Sequence, residues 1–197
     1  MIVGAAFRGS SFFKQITTMK KTIFLLLISF FAAHVKAQYV PADKGSTLSF
    51  KIGNFGFDVS GSFTGFKGAI NFDPQNIASS NFDVTVDAST VNTENNLRDE
   101  HLRGASYFDV KNYPTIHFVS AKITSSGGSF VAYGKLTIKG KSKDISIPFT
   151  ATPGADEYSF KGSFKINRKD FGVGGTSTIS NELEVSLNML AKKQNTI

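Results

Sequence analysis

Cysteine and tryptophan are both absent from this chain of 197 residues. Without cysteine there is no disulfide, no thiolate nucleophile, no iron–sulfur cluster and no cysteine zinc site, so an exported domain of this size must be held by its core alone. Acid is missing from the first 37 residues. A bilayer-spanning helix is missing as well, since it needs roughly 20 apolar residues in a row and the longest apolar run, TIFLLLISFFAA, stops well short. Internal repeats and low-complexity tracts are also lacking, which leaves one composition regime and one domain.

The N-terminus holds an ordered pattern instead: Met19-Lys20-Lys21, the apolar run, then Val35-Lys36-Ala37 before Gln38. A basic start, about a dozen apolar residues and a small residue at the exit make a secretory signal. The expectation is initiation at Met19, cleavage after Ala37, residues 1–18 as an upstream extension, and a single periplasmic or secreted domain over 38–197. Removing the leader takes away Arg8, Lys14, Lys20, Lys21 and Lys36, five of the 22 basic residues, and none of the 15 acids, so the net charge of +7 falls to +2. The remaining basic residues are interspersed with acids, and the stripe that a nucleic-acid binder needs is missing.

Beyond Gln38 the hydrophobic period is two. Leu48, Phe50 and Ile52 share a face, as do Phe82, Val84 and Val86, and Phe130, Ala132, Gly134, Leu136 and Ile138. The rows Ile145 to Ala151, Tyr158 to Ile166 and Leu183 to Met189 continue the alternation, with turn-rich breaks such as Asp73-Pro74-Gln75-Asn76 and Lys139-Gly140-Lys141 between them. The apolar phase switches at Thr64-Gly65, which predicts a bulge or sharp bend. Eight or nine antiparallel strands of this kind can form a sandwich or a barrel, and closure is favoured because long strands otherwise leave long edges. Glycines on the apolar rows, Gly134 and Gly162, are expected to leave room inside. Only one short helix is predicted, near residues 95–103, capped by Asn95 or Asn96, ended by Gly104, and with Asp99 and Arg103 spaced for an ion pair.

Chemistry concentrates in RDEHLRGASYFDVKNYPTIHF, residues 98–118, which holds both histidines that follow the leader. His101 beside Asp99 or Glu100 could act as a general base, yet neighbours on a helix point in different directions, and no serine sits in a nucleophile-elbow context. Two histidines without cysteines also fall short of a metal site. No catalytic residue, metal or cofactor is expected. The phenylalanines point elsewhere: 14 of the 20 follow residue 37, and a barrel of about eight strands either fills with side chains or encloses one apolar ligand.

RDEHLRGASYFDVKNYPTIHFVS resembles the R-D-x-H-L-R-x-x-x-F-F-D-x-x-x-Y-P-x-I-x-F-x-S pattern of the YceI-like proteins, the periplasmic polyisoprenoid-binding family. VSGSFTGFKGAINFD at 59–73, GKLTIKGKSKDISIPF at 134–149 and INRKDFGV at 166–173 resemble further stretches of it. Tyr107 stands where the family has the first phenylalanine of F-F-D, Gly45-Ser46 where many members have His-Ser, and Asn54 where many have a histidine. The resemblance implies an all-β fold, an extended, lipocalin-like eight-stranded antiparallel barrel whose cavity holds a polyisoprenoid or fatty-acyl chain, without a catalytic reaction.

The expected function is therefore sequestration, storage or transport of a long apolar lipid outside the cytoplasm. Phe50, Ile52, Phe108, Phe118, Leu136, Ile138, Phe149, Phe160, Phe164 and Leu187 are the expected lining. Within residues 98–118, Leu102, Phe108 and Tyr113 are expected to turn inward and the charged residues to bond to backbone at a barrel end. The alternative for Arg98, His101 or Arg103 is contact with a phosphate or carboxylate head group at the cavity mouth. A homodimer and brief membrane contact for lipid exchange are compatible with the sequence. A non-lipid interaction barrel, and more remotely a hydrolase using His101, are the competing readings.

Overall fold

The structure is a computed structural model that describes residues 38–176 and 178–194. The expected leader, with its start at Met19 and cleavage after Ala37, lies outside the described residues. Alternation turns one face of each strand toward a common interior. The strands are β1 (Gln38–Asn54), β2 (Phe57–Phe63), β3 (Lys67–Asn71), β4 (Asn81–Asp87), β5 (Thr115–Ser126), β6 (Ser129–Ile138), β7 (Lys141–Pro153), β8 (Glu157–Asn167) and β9 (Ile179–Lys193), with one short helix, α1 (Asn96–Arg103). From β3 to β9 each strand pairs antiparallel with the next, and β1 closes the circle by pairing with β9 on one edge and with β2 and β3 on the other. Because β2 lies along Leu48 to Asn54 of β1 and β3 along Gln38 and Tyr39, the two are halves of one stave. The result is the closed eight-stranded antiparallel barrel, with the ninth strand arising from this split.

The split is the phase change at Thr64-Gly65. Directly opposite, β1 leaves its ladder: Ala42 pairs with Leu190, and pairing resumes only at Thr47 with Asn188. Side chains take over the freed backbone groups. Asp43 Oδ1 accepts the N–H groups of Gly65 at 2.6 Å and Phe66 at 3.1 Å, and buried Ser46 accepts the Leu190 N–H at 2.9 Å while donating to the Ala42 carbonyl. A 17-residue strand can thereby bend with these peptide groups still paired.

Gly134 and Gly162 do not make room in the lumen. The register of β5 shifts between Ser120 and Lys122, and a Cβ on Gly134 would overlap the Val119 carbonyl oxygen; one on Gly162 would overlap that of Pro148. Their missing side chains let neighbouring strands approach closely where the sheet coils tightly.

One end of the barrel is solid. The Phe72 ring meets those of Phe82, Phe130, Phe149, Tyr158 and Phe160, mostly edge to face, with centroids 5.2–6.3 Å apart. Ile70, Met189 and Ala191 fill the remaining gaps and are fully enclosed. Tyr39 stacks edge-on against Tyr158, and its hydroxyl is pushed above the usual tyrosine pKa by burial, then by Tyr158, Asp156 and Asp73.

Phe72→Ala is expected to lower stability by about 3–5 kcal/mol in urea unfolding. Because Tyr39 ionises less readily folded than unfolded, its stabilisation is complete below about pH 10 and is lost as pH rises toward its raised folded value. Tyr39→Phe should therefore flatten the alkaline limb of a stability-against-pH curve.

Candidate functional site

The opposite end is organised by α1. Asn95 caps it, its side-chain oxygen accepting the Arg98 N–H at 3.0 Å. Buried Asp99 accepts from the Thr93 N–H at 2.8 Å and the Thr93 hydroxyl at 2.5 Å. Arg98 donates from Nε to the same hydroxyl at 2.7 Å and from Nη2 to the Thr93 carbonyl at 2.8 Å. Arg103 reaches back to the carbonyls of Ser89 at 2.7 Å and Val91 at 2.9 Å. The expected Asp99–Arg103 ion pair is not formed, because the buried donors of Thr93 claim the carboxylate and two carbonyls claim the guanidinium. These bonds strap the helix to residues 89–93, which are themselves tied to β2 through the Ser62–Asn92 bridge. The helix thus hangs across the end of the barrel beside the β1–β2 hairpin.

Between this helix and the aromatic plug the lumen is hollow. The cavity has a volume of about 180 Å³. All ten expected lining residues surround it: Phe50, Ile52, Phe108, Phe118, Leu136, Ile138, Phe149, Phe160, Phe164 and Leu187. Phe82, Phe149 and Phe160 form its floor, since they also belong to the plug. Among the lining residues only Ser49, Thr85, Tyr107 and Arg168 carry polar side-chain atoms.

A second chamber of about 300 Å³ adjoins the first and shares Phe50, Ile52, Leu102, Tyr107 and Ile179 with it. Its own walls are more polar and include Asn54, Thr93, Asn95, Arg98 and His101. It is the mouth of the lumen. Of the three expected head-group residues, Arg98 and His101 line it and Arg103 does not, being committed to the Ser89 and Val91 carbonyls. Leu102 and Phe108 turn inward as expected. Tyr113 does not; it is partly exposed and covers Gly140 from outside.

Two polar features escape a reading of the sequence alone. Asn54 Oδ1 is buried at the mouth without a donor among the described residues. Arg168 is buried and donates to the carbonyls of Ser180, Val173, Gly174 and Ile179 at 2.8–3.1 Å, pinning the turn after β8 to the start of β9. The general-base pair considered for His101 is not assembled: Asp99 faces Thr93, and His101 makes no side-chain hydrogen bond among the described residues. His117 pairs at 2.7 Å with Asp83 on the exposed outer surface. No three of the described His, Asp and Glu side chains converge on a point that a metal could occupy.

A family profile described as the YceI-like domain matches residues 39–191. A UPF0312 protein of Vibrio cholerae serotype O1 is 33% identical over 184 residues, covering 85% of this chain and 97% of its own. BcnA of Burkholderia cenocepacia superposes with a TM-score of 0.73 at 27% identity, over 77% of this chain and 99% of that one. A polyisoprenoid-binding domain from Saccharophagus degradans, implicated in plant cell wall breakdown, shares the fold, with a TM-score of 0.63 at 14% identity over 80% of this chain and 99% of its own.

Asp99→Ala strands the Thr93 donors and should cost about 1–3 kcal/mol, with faster amide exchange in α1 but not in the plug. Phe164→Ala, whose ring borders empty space, should cost less than Phe72→Ala, as read by urea unfolding of lipid-free protein.

Proposed function

The chain belongs to the YceI-like domain family, and on that premise we propose that it binds a long apolar lipid of the polyisoprenoid or fatty-acyl type in its barrel and sequesters, stores or carries it outside the cytoplasm. The observation that carries this reading is the shape and chemistry of the lumen: apolar walls, a solid aromatic floor and one polar mouth. The signal-like residues 19–37 support an exported location. The like-folded domain from Saccharophagus degradans, named for polyisoprenoid binding, supports the ligand class.

Burial alone can supply the affinity. Each methylene removed from water contributes about 0.8 kcal/mol, so a tail filling the lumen needs few polar contacts, and tail length should matter more than head-group identity. At the mouth, Nε and Nη2 of Arg98 are held by Thr93, which fixes the guanidinium in place beside His101 and the unsatisfied Asn54 oxygen. An anionic or hydroxylated head group would meet donors and an acceptor there. An exposed His101, to which no carboxylate bonds among the described residues, supports binding over turnover.

Native mass spectrometry of protein purified from its own host, followed by organic extraction, tests the reading. A co-purifying lipid is the expected result. A clean lipid-free mass together with no uptake of added long-chain lipid would overturn it. Across a series of fatty acids, affinity should rise about fourfold per added methylene and level off once the tail reaches Phe82, Phe149 and Phe160. Arg98→Ala should weaken a prenyl pyrophosphate by about tenfold or more and the matching prenyl alcohol much less; equal losses would argue against head-group recognition.

A further inference from the structure

The β1–β2 hairpin carries the inner face of the barrel out past its rim. Phe50 pairs with Gly61, Ile52 with Val59 and Asn54 with Phe57, so Phe57 lies on the same row as residues that line the lumen and its mouth. Phe50 and Ile52 are partly buried there. Phe57 is 79% exposed, Phe55 at the tip is 74% exposed, and Leu97, in the first turn of α1 across the mouth, is 66% exposed. They are the three most exposed large apolar side chains among the described residues, and all three sit at the open end. Among the described residues the solid end has no counterpart.

The backbone at the tip makes the exposure harder to explain by folding alone. Phe55 has φ +50° and Gly56 φ +82°, the pair of left-handed positions that Asn-Gly fills in a two-residue hairpin turn. A bulky aromatic with positive φ is an outlier, and nothing lies within 4 Å of where a Gly56 side chain would be. Phe55 therefore costs stability through its backbone, and a ring left 74% exposed gains little from burial to offset that cost.

We propose that Phe55, Phe57 and Leu97 insert into the boundary between head groups and acyl chains of a lipid bilayer and seat the mouth of the barrel on the membrane. The occupant is a bilayer because the apolar track is continuous: from the tip it runs through Phe57 and Val59 to Ile52 and Phe50 and into the lumen, the path a lipid tail needs and a protein partner does not. Lys51 and Asp58 neutralise one another in an ion pair at 2.6 Å beside the tip. Docking should accordingly depend on apolar insertion, with little requirement for anionic lipid. The proposal rests on the lipid-carrier reading, and its test separates the two.

Flotation with phosphatidylcholine vesicles, and uptake of a pyrene-labelled fatty acid delivered either from those vesicles or from ethanol, should be compared for wild type, Phe55→Asn and Phe57→Ser. Phe55→Asn creates an Asn-Gly turn, so its urea midpoint should hold or rise, while vesicle binding and vesicle-to-protein transfer fall about tenfold and uptake from ethanol stays unchanged. A structural role for Phe55 would instead lower the midpoint. Vesicle binding equal to wild type in both variants, or binding that requires anionic lipid and vanishes in high salt, would overturn the proposal. A wild-type dimer dissolved by Phe55→Asn with vesicle binding intact would reassign the tip to a second copy of the chain. If wild type takes up lipid from ethanol but does not bind vesicles, docking fails and the carrier reading stands; if it binds vesicles through the tip but takes up no lipid by either route, the carrier reading fails and docking stands.

Discussion

Everything in this molecule depends on β1 being hydrogen-bonded along both edges, to β9 on one side and to β2 and β3 on the other. A sheet of this length left open would expose two long rows of unpaired peptide groups. Closing it forces the longest strand to bend, and the bend is where polar side chains enter the wall: Ser46 takes up the Leu190 N–H where β1 leaves its ladder with β9, and Asp43 takes up the Gly65 and Phe66 N–H groups at the gap between β2 and β3. The break between β2 and β3 lies opposite the same point. With no cysteine available, this matched pair of kinks and the packed rings of the closed end hold the barrel together.

Closure also gives the interior its polarity. Toward the β3 side the rings of Phe72, Phe82, Phe130, Phe149 and Phe160 interlock and leave no lumen. Toward the hairpin side Phe50, Phe63 and Phe108 meet ring to ring but most of the other inward residues are aliphatic and the lumen stays open, and α1 with the turns at 104–114 and 168–176 lies over that end. Arg98, Arg103, Asp99 and Arg168 are used to fasten those coverings to backbone, which is why so much charge gathers at the end of an apolar tube.

What could be read from the sequence was whatever a single strand or helix determines by itself. The inner rows, the phase change at Thr64-Gly65, the Asn95 cap and nine of the ten lining residues follow from periods of two or from local capping chemistry; Phe108, in the turn after α1, follows from neither. Features set by segments far apart in the chain were not legible. Gly134 looked like spare volume because its crowding comes from a register shift in β5. Arg98 and Arg103 looked equivalent on one helix; Thr93 on one side and the Ser89 and Val91 carbonyls on the other separate them. Tyr113, expected to turn inward with Leu102 and Phe108, belongs to a turn packed outside over Gly140. Asn54 stands out in the sequence only as a departure from the family pattern and Arg168 only as part of INRKDFGV, because the burial of each is set by segments far apart in the chain.

The aromatic floor makes the barrel a blind tube. A threadlike guest can enter only by its tail, so whatever stands at its other end remains at the mouth, in reach of solvent and of other molecules. On the proposed carrier reading, loading and unloading share the one opening that the described residues leave, and a tail longer than the bore leaves its surplus outside. The floor thus sets which part of a guest is hidden and which stays on offer, without touching the part that is offered.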